Sequence, residues 1–328
     1  MGMVQAFGAS VGSVITQTMM RESYSAEQRH HAFAIIGIAL SSVSALGPLI
    51  GGYINHWFQW QANFLTLVVM GVILVILTVR RLPETKPTHI HVSGLGEMAK
   101  IAGRLLTDPQ VLVSAWIVAA INGILFGFYA EAPFIFIHLL KFNVANYGKV
   151  GLFIATASVL GSMMTKLLLN HRWSVRKVMM LGFLIAFISS VVLLIFAYFA
   201  LPYHHPVSAV FAIMLPYAGI IFGLIGLVLP GILTMALNKY QDCLGTAGAI
   251  FGLSYYVLIA LLVSIMGFIH NGTIYPMPVY FLALTVTIGL ALARIPFTNA
   301  KGRSNNSTER TSMNTKNKMQ STVIPAGR

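Results

Sequence analysis

Long apolar runs separated by short polar connections restrict the fold of this sequence more than any other feature. A helix needs about 20 mostly apolar residues to cross a lipid bilayer, and nine stretches meet that requirement. They are residues 4–20, 31–54, 62–79, 111–137, 151–169, 178–200, 207–237, 245–269 and 279–295. None shows the alternation of apolar and polar residues that is typical of strands in a membrane barrel. The sequence therefore predicts an all-α membrane protein with about nine transmembrane helices.

Charge is scarce, and most of it lies between the runs. Only 9% of the 328 residues are charged, whereas a soluble domain has roughly a quarter. The basic residues are concentrated in alternate connections and in the C-terminal tail, which the positive-inside rule places in the cytoplasm. We therefore interpret the net charge of +13 as a sign of membrane topology, not of nucleic-acid binding.

The connections divide the chain into four predicted parts. Residues 1–80 would form a partial N-terminal bundle of three helices, and residues 110–297 a C-terminal bundle of six. Residues 81–109 would form a cytoplasmic linker, and residues 298–328 a disordered basic cytoplasmic tail with too few apolar groups to fold. The linker includes an expected interfacial helix, since one helical face would carry Leu95, Met98, Ile101, Ala102 and Leu105.

Several motifs resemble those of one transporter family. The segment GPLIGG begins at Gly47, RRLPETKP at Arg80 and LGTAGAIFGL at Leu244, and QAFGAS and MRESYS lie near the start. Together they resemble the major facilitator superfamily, and within it the drug–proton antiporters of the bicyclomycin-resistance (Bcr/CflA) type. The resemblance matches the first run here to the family's fourth helix. It therefore implies an N-terminally truncated facilitator fold of three plus six helices.

The same resemblance implies a function. It suggests proton-coupled efflux of small amphiphilic or cationic drug-like compounds across the bacterial inner membrane, by a multi-pass monomer that needs no cofactor. It gives Gly47, Pro48, Gly51 and Gly52 the role of the antiporter motif, in which small residues let a helix rock tightly against its neighbour. Arg172, Arg176 and Lys177 would form a cytoplasmic gating loop related to the one in the family's first half.

Glu131 is the carboxylate that falls inside an apolar run. Ionisable groups within a membrane are costly, and they usually face a cavity or a partner. We therefore take Glu131 as the candidate for proton coupling and for binding a cationic substrate. The alternative is that it only meets water at the outer mouth, because it lies late in a run that goes from inside to outside.

Other candidates for the substrate site are polar and aromatic side chains. Asn122, Phe126 and Tyr129 are spaced to share one face of a helix, where aromatic rings could hold a cationic or amphiphilic compound. Tyr217 and Tyr255 are further candidates. Ordinary helix packing and hydrogen bonding between helices explain all five residues equally well.

The sequence also argues against several functions. A single cysteine, Cys243, cannot build a thiolate metal site, and the paired histidines have no supporting carboxylates, so no metal is expected. No nucleotide-binding loop and no hydrolase motif occurs, so the chain is not expected to be an enzyme. Besides the exporter, two interpretations stay open: a nonfunctional transporter remnant, and a membrane scaffold or accessory subunit that binds a partner protein.

Overall fold

Helices make up the described part of the protein. The computed structural model describes residues 8, 47, 50–81, 95–142, 144–200, 206–237, 239–240 and 243–295, and every regular element in these ranges is helical. The helices are α1 (Trp60–Arg81), α2 (Leu95–Thr107), α3 (Pro109–Pro133), α4 (Val144–Asn170), α5 (Val175–Ile195), α6 (Pro206–Ile221), α7 (Leu229–Ala236), α8 (Leu244–Ile269) and α9 (Pro276–Arg294). Three π-helical segments, Phe134–Leu139, Phe196–Ala200 and Phe222–Val228, continue α3, α5 and α6.

Seven helical segments in the described ranges are long and apolar enough to cross a membrane. They are Trp60–Arg81, Pro109–Leu139, Lys149–Asn170, Val175–Phe199, Ala209–Ala236, Thr246–Ile269 and Pro276–Arg294. Each coincides with one of the last seven predicted runs. The first two predicted runs lie almost wholly outside the described residues, as does the predicted tail at 298–328.

Helix α3 forms the centre of a bundle with α4 to α9. Apolar residues of α3 lie on every side of the helix, and most of them are buried. It packs against α7, α8 and α9, and Ile117, Ala120, Ile124 and Phe128 have no exposed surface. In contrast, α1 has no buried residue within the part of the chain that the structure describes.

Glycines bring α4 and α5 unusually close to the π-helical segment Phe222–Val228. A Cβ added at Gly161 of α4 would lie 2.9 Å from Gly226 Cα, and a Cβ at Gly182 of α5 would lie 2.6 Å from Gly223 O. Proteins do not tolerate contacts this short, so only glycine fits at either crossing. This backbone contact is the small-residue packing that membrane helices use in place of a hydrophobic driving force.

A buried hydrogen bond completes the same crossing. Pro230 has no N–H to donate to the carbonyl four residues before it, which is that of Gly226. The hydroxyl of Thr165, a buried residue of α4, donates to the Gly226 carbonyl oxygen at 2.8 Å. A neighbouring helix thus supplies a donor to a carbonyl in the π-helical turn just before a proline, where regular α-helical bonding is interrupted.

Helix α2 is present where the interfacial helix was predicted, but it packs partly on protein. Ile101 and Leu105 are buried, 8% and 1% exposed, and α2 contacts α3 and α8. Met98, on the same predicted face, is 43% exposed. The C-terminal part of the predicted linker is therefore docked on the bundle, and only part of its apolar face is free to meet lipid.

Candidate functional site

Helix α3 carries most of the candidate residues, and its start is well defined. Asp108 is the N-cap, accepting a hydrogen bond from the Gln110 backbone N–H at 2.9 Å, and Pro109 occupies the first turn, where its missing N–H is harmless. The helix continues for 25 residues to Pro133, where the π-helical segment follows. We call its two ends the Asp108 end and the Glu131 end.

At the Glu131 end, the predicted coupling residue has a partner that the sequence did not suggest. Glu131 Oε2 lies 2.8 Å from Nδ1 of His270, the residue that caps the C-terminus of α8. The Glu131 side chain is 7% exposed and that of His270 is 33% exposed. The rings of Phe134 and His270 are nearly perpendicular, with their centroids 4.8 Å apart. Glu131 is thus a buried carboxylate in contact with a titratable side chain that reaches the surface.

A second group of candidates shares one side of α3. Asn122 and Tyr129 are partly exposed and Phe126 is 43% exposed, whereas Val118, one turn before Asn122 on the same side, and Phe128 on another side are buried. The Asn122 side-chain amide donates to the Val118 carbonyl oxygen of its own helix at 2.8 Å. The neighbouring helices leave this side open among the described residues, so it can face either a cavity or lipid.

The two tyrosine candidates on other helices lie in different surroundings. Tyr217 of α6 is completely buried and stacks on Phe128, with ring centroids 3.9 Å apart and planes inclined by 14°. Its hydroxyl has no hydrogen-bond partner among the described residues. Tyr255 of α8 is partly exposed and lies beside Tyr256, with centroids 4.7 Å apart. The structure therefore does not bring Tyr217 onto the open side of α3 that holds Asn122.

The antiporter motif is described only in part. Gly47 is exposed and helical, Gly52 is buried, and a Cβ added at Gly51 would meet Asn63 Oδ1 at 3.6 Å. Pro48 lies outside the described residues. Its role in helix rocking remains a prediction.

Of the predicted gating loop, Arg172 lies in a tight turn between α4 and α5, whereas Arg176 and Lys177 lie in the first turn of α5. Arg172 has a left-handed backbone with φ of 61°, which reverses the chain within a few residues. Ser174 caps α5, accepting from the Lys177 backbone N–H at 3.4 Å. Arg172, Arg176 and Lys177 are all exposed.

Another polar cluster, at the Asp108 end, was missed from the sequence. Lys239 Nζ lies 3.3 Å from Asp108 Oδ2, and the Tyr240 hydroxyl donates to the same oxygen at 3.2 Å. The Arg104 guanidinium lies over the Tyr240 ring, 5.8 Å from its centroid. These contacts tie α2, the start of α3 and the connection between α7 and α8 together.

The charges in this cluster hold Asp108 ionised. Burial raises the pKa of Asp108, but the Gln110 N–H, the Lys239 ammonium and the Tyr240 hydroxyl outweigh burial, so the pKa lies below its usual value of 3.8. Burial and the negative charge of Asp108 raise the pKa of Tyr240. An Asp-Pro pair before an apolar run signals a helix cap, but nothing local pointed to Lys239.

Comparison with known proteins decides the family. The profile of the Major Facilitator Superfamily matches residues 1–263. An "Uncharacterized transporter" of Rickettsia bellii (strain RML369-C) is 35% identical over 291 residues, which cover 88% of this chain and 71% of the relative. The chain belongs to the major facilitator superfamily. The "Uncharacterized MFS-type transporter YdgK" of Bacillus subtilis is 26% identical, and the match covers 88% of this chain and 70% of that protein. "Multidrug resistance protein D" of Escherichia coli is 32% identical, and the match covers 26% of this chain and 21% of that protein.

Membership in this superfamily confirms the coarse predictions. The chain is a multi-pass helical membrane protein, and both the family and the relatives' names indicate a transporter rather than an enzyme. A facilitator of this kind acts on small molecules within a lipid bilayer.

Proposed function

We propose that this facilitator exports small amphiphilic or cationic compounds in exchange for protons, and that Glu131 couples the two movements. The observation that carries the proposal is a buried glutamate, 5% exposed as a residue, inside a helical segment long and apolar enough to cross a membrane. Two relatives named as multidrug resistance proteins support the choice of substrate class.

Burying a charged group away from water costs free energy. A carboxylate out of water needs a neutralising partner, which can be a bound proton or a cation. If a proton and a cationic substrate compete for Glu131, then binding of one releases the other. Alternating exposure of that single site to the two sides of the membrane then exchanges protons for substrate.

The open side of α3 offers a surface for the rest of the substrate. Asn122, Phe126 and Tyr129 combine an amide with two exposed or partly exposed rings. Aromatic faces attract cations and pack against apolar groups with little selectivity. Tyr255 would extend this surface on α8, and Tyr217 would contribute only when the bundle opens, because its ring is enclosed in the described state.

The proposal includes an orientation in the bacterial inner membrane. The Asp108 end would face the cytoplasm, because Arg104 and Lys239 lie there and the positive-inside rule favours that side for basic residues. The C-terminus would then be cytoplasmic and Glu131 would be near the outer surface. We further propose that one chain carries out the exchange, with Arg172, Arg176 and Lys177 gating the cytoplasmic side.

Ethidium efflux from proteoliposomes tests the proposal. The full chain is reconstituted, ethidium is trapped with it, and an imposed pH difference drives transport. Glu131→Gln should abolish the pH-driven component, because an amide cannot take up a proton. Glu97→Gln is the matched control, since Glu97 is an exposed carboxylate on α2. Unchanged pH-driven efflux in Glu131→Gln would exclude this role.

A further inference from the structure

We propose that His270 passes protons from the outer aqueous side to Glu131. The inference rests on the proposed function, because it takes Glu131 to be the residue that binds the coupling proton. It adds a group that neither the sequence motifs nor the relatives indicate, since 139 residues separate the two side chains in the chain.

His270 lies between Glu131 and the protein surface. Glu131 Oε2 is in hydrogen-bond contact with His270 Nδ1 at 2.8 Å, while the carboxylate itself is 7% exposed. A third of the His270 side chain is exposed. The imidazole therefore spans from the surface to the buried oxygen, and its two ring nitrogens allow it to take up a proton on one side and give one up on the other.

Other titratable and charged side chains besides His270 lie at the Glu131 end of the described bundle. They are Tyr129 on α3, His138 on its π-helical extension, Lys141 after that extension, Tyr147 and Lys149 on α4, Tyr198 on the extension of α5, Tyr217 on α6, and Tyr275 and Tyr280 around the start of α9. The His138 ring stacks on Phe134, and the Tyr280 hydroxyl donates to the Leu262 carbonyl oxygen at 2.8 Å. Histidine is the side chain whose ordinary pKa suits exchange near neutral pH, and His270 is the histidine that contacts the carboxylate.

The transfer itself balances without any further reagent. In the starting state neutral His270 carries its proton on Nδ1, and hydronium on the outer side protonates Nε2, leaving water. The resulting imidazolium donates its Nδ1–H to the ionised carboxylate: the N–H bond breaks and an O–H bond forms at Glu131 Oε2, leaving a neutral carboxylic acid and an imidazole that carries its proton on Nε2. Loss of the Nε2 proton to outer water and uptake of one at Nδ1, with a turn of the ring, restores the starting tautomer.

The packing of α3 against α8 does not depend on the contact between His270 and Glu131. Helices α3 and α8 pack along much of their length, and a Cβ added at Gly123 would lie 3.1 Å from Leu262 Cδ1. Further along, one added at Gly127 would lie 3.7 Å from Met266 Cγ. The two helices therefore have ample contact without the ion pair, and replacing His270 should leave them together.

Infrared spectroscopy can follow the transfer directly and needs no substrate. The full chain is reconstituted in phosphatidylethanolamine and phosphatidylglycerol vesicles, and the outer pH is lowered rapidly. The C=O stretch of a protonated carboxyl then reports Glu131, provided that Glu131→Gln removes it. His270→Asn keeps a hydrogen-bonding group near the carboxylate but cannot titrate. We expect it to slow the rise of this band about a hundredfold, which is within the range for a positioned proton-transfer group.

Two controls make the result specific. External imidazole should restore much of the lost rate in His270→Asn, and His138→Asn should behave like the unmodified protein. A rate in His270→Asn equal to that of the unmodified protein would overturn the inference and leave the proposed function standing. A slow rate that imidazole does not restore would also overturn it, since it would indicate a structural role. If no carboxyl band depends on Glu131, the proposed function fails as well.

Discussion

The hydrogen bond between Thr165 and the Gly226 carbonyl gives the most specific stability prediction. Pro230 cannot donate to that carbonyl, and Thr165 is 9% exposed. Thr165→Val keeps the side-chain shape but removes the donor. Leaving a buried acceptor unsatisfied costs about 1–3 kcal/mol, and hydrogen bonds between membrane helices average about 0.6 kcal/mol, with a maximum of about 1.7. We therefore expect the variant to lose about 1–1.5 kcal/mol of unfolding free energy.

A double-mutant cycle tests the reason for this loss. Pro230→Ala adds an N–H four residues after Gly226; if this turn then takes α-helical bonding, that N–H reaches the same carbonyl, and Thr165→Val should cost only about 0.5 kcal/mol or less in that background. The assay is equilibrium unfolding in mixed micelles with increasing dodecyl sulfate. Thr156→Val is the matched control, because the hydroxyl of exposed Thr156 bonds within its own helix, to the Leu152 carbonyl oxygen at 2.9 Å. An equal loss in both backgrounds would refute the argument that Thr165 substitutes for the donor that proline removes.

Two further predictions use the same unfolding assay. Tyr217→Phe should leave the unfolding free energy unchanged or raise it by about 1 kcal/mol, because the buried hydroxyl has no partner among the described residues; a clear loss of stability would mean that the hydroxyl is bonded. Asp108→Asn should lower the unfolding free energy by up to about 1 kcal/mol at neutral pH, since it weakens the helix cap and removes the charge that faces Lys239. Because the pKa of Asp108 is lowered in the folded protein, its contribution is complete above pH about 4 and is lost as the pH falls through that lowered value. The difference between Asp108→Asn and the unmodified protein should therefore shrink in acid, and a difference that stays constant with pH would contradict this account.

The spans could be predicted because hydropathy is a local property. Each of the last seven apolar runs contains enough residues to cross a bilayer whatever its neighbours are, and the structure has a helix in each. The burial of Glu131 could be anticipated for the same reason, since the residues around it along the chain are apolar. What could not be read locally is which helix lies beside each residue.

The missed features all depend on contacts between distant parts of the chain. His270 contacts Glu131 from 139 positions away in the sequence, and Lys239 contacts Asp108 from 131 positions away. No local sequence pattern predicts either pairing. The π-helical segment Phe222–Val228 lies inside an apolar run that looks regular by composition, although Pro216 and Pro230 flank the segment. Helix α2 was expected to lie on lipid because its apolar face predicts burial but does not identify what covers it.

Proton release on substrate binding tests the central claim most directly. If a cation and a proton compete for Glu131, adding ethidium to the protonated protein in weakly buffered detergent should release about one proton for each ethidium bound, because linkage between two ligands is reciprocal. Glu131→Gln should bind ethidium with no proton release, while Glu97→Gln should release protons like the unmodified protein. Full proton release from Glu131→Gln would contradict the account.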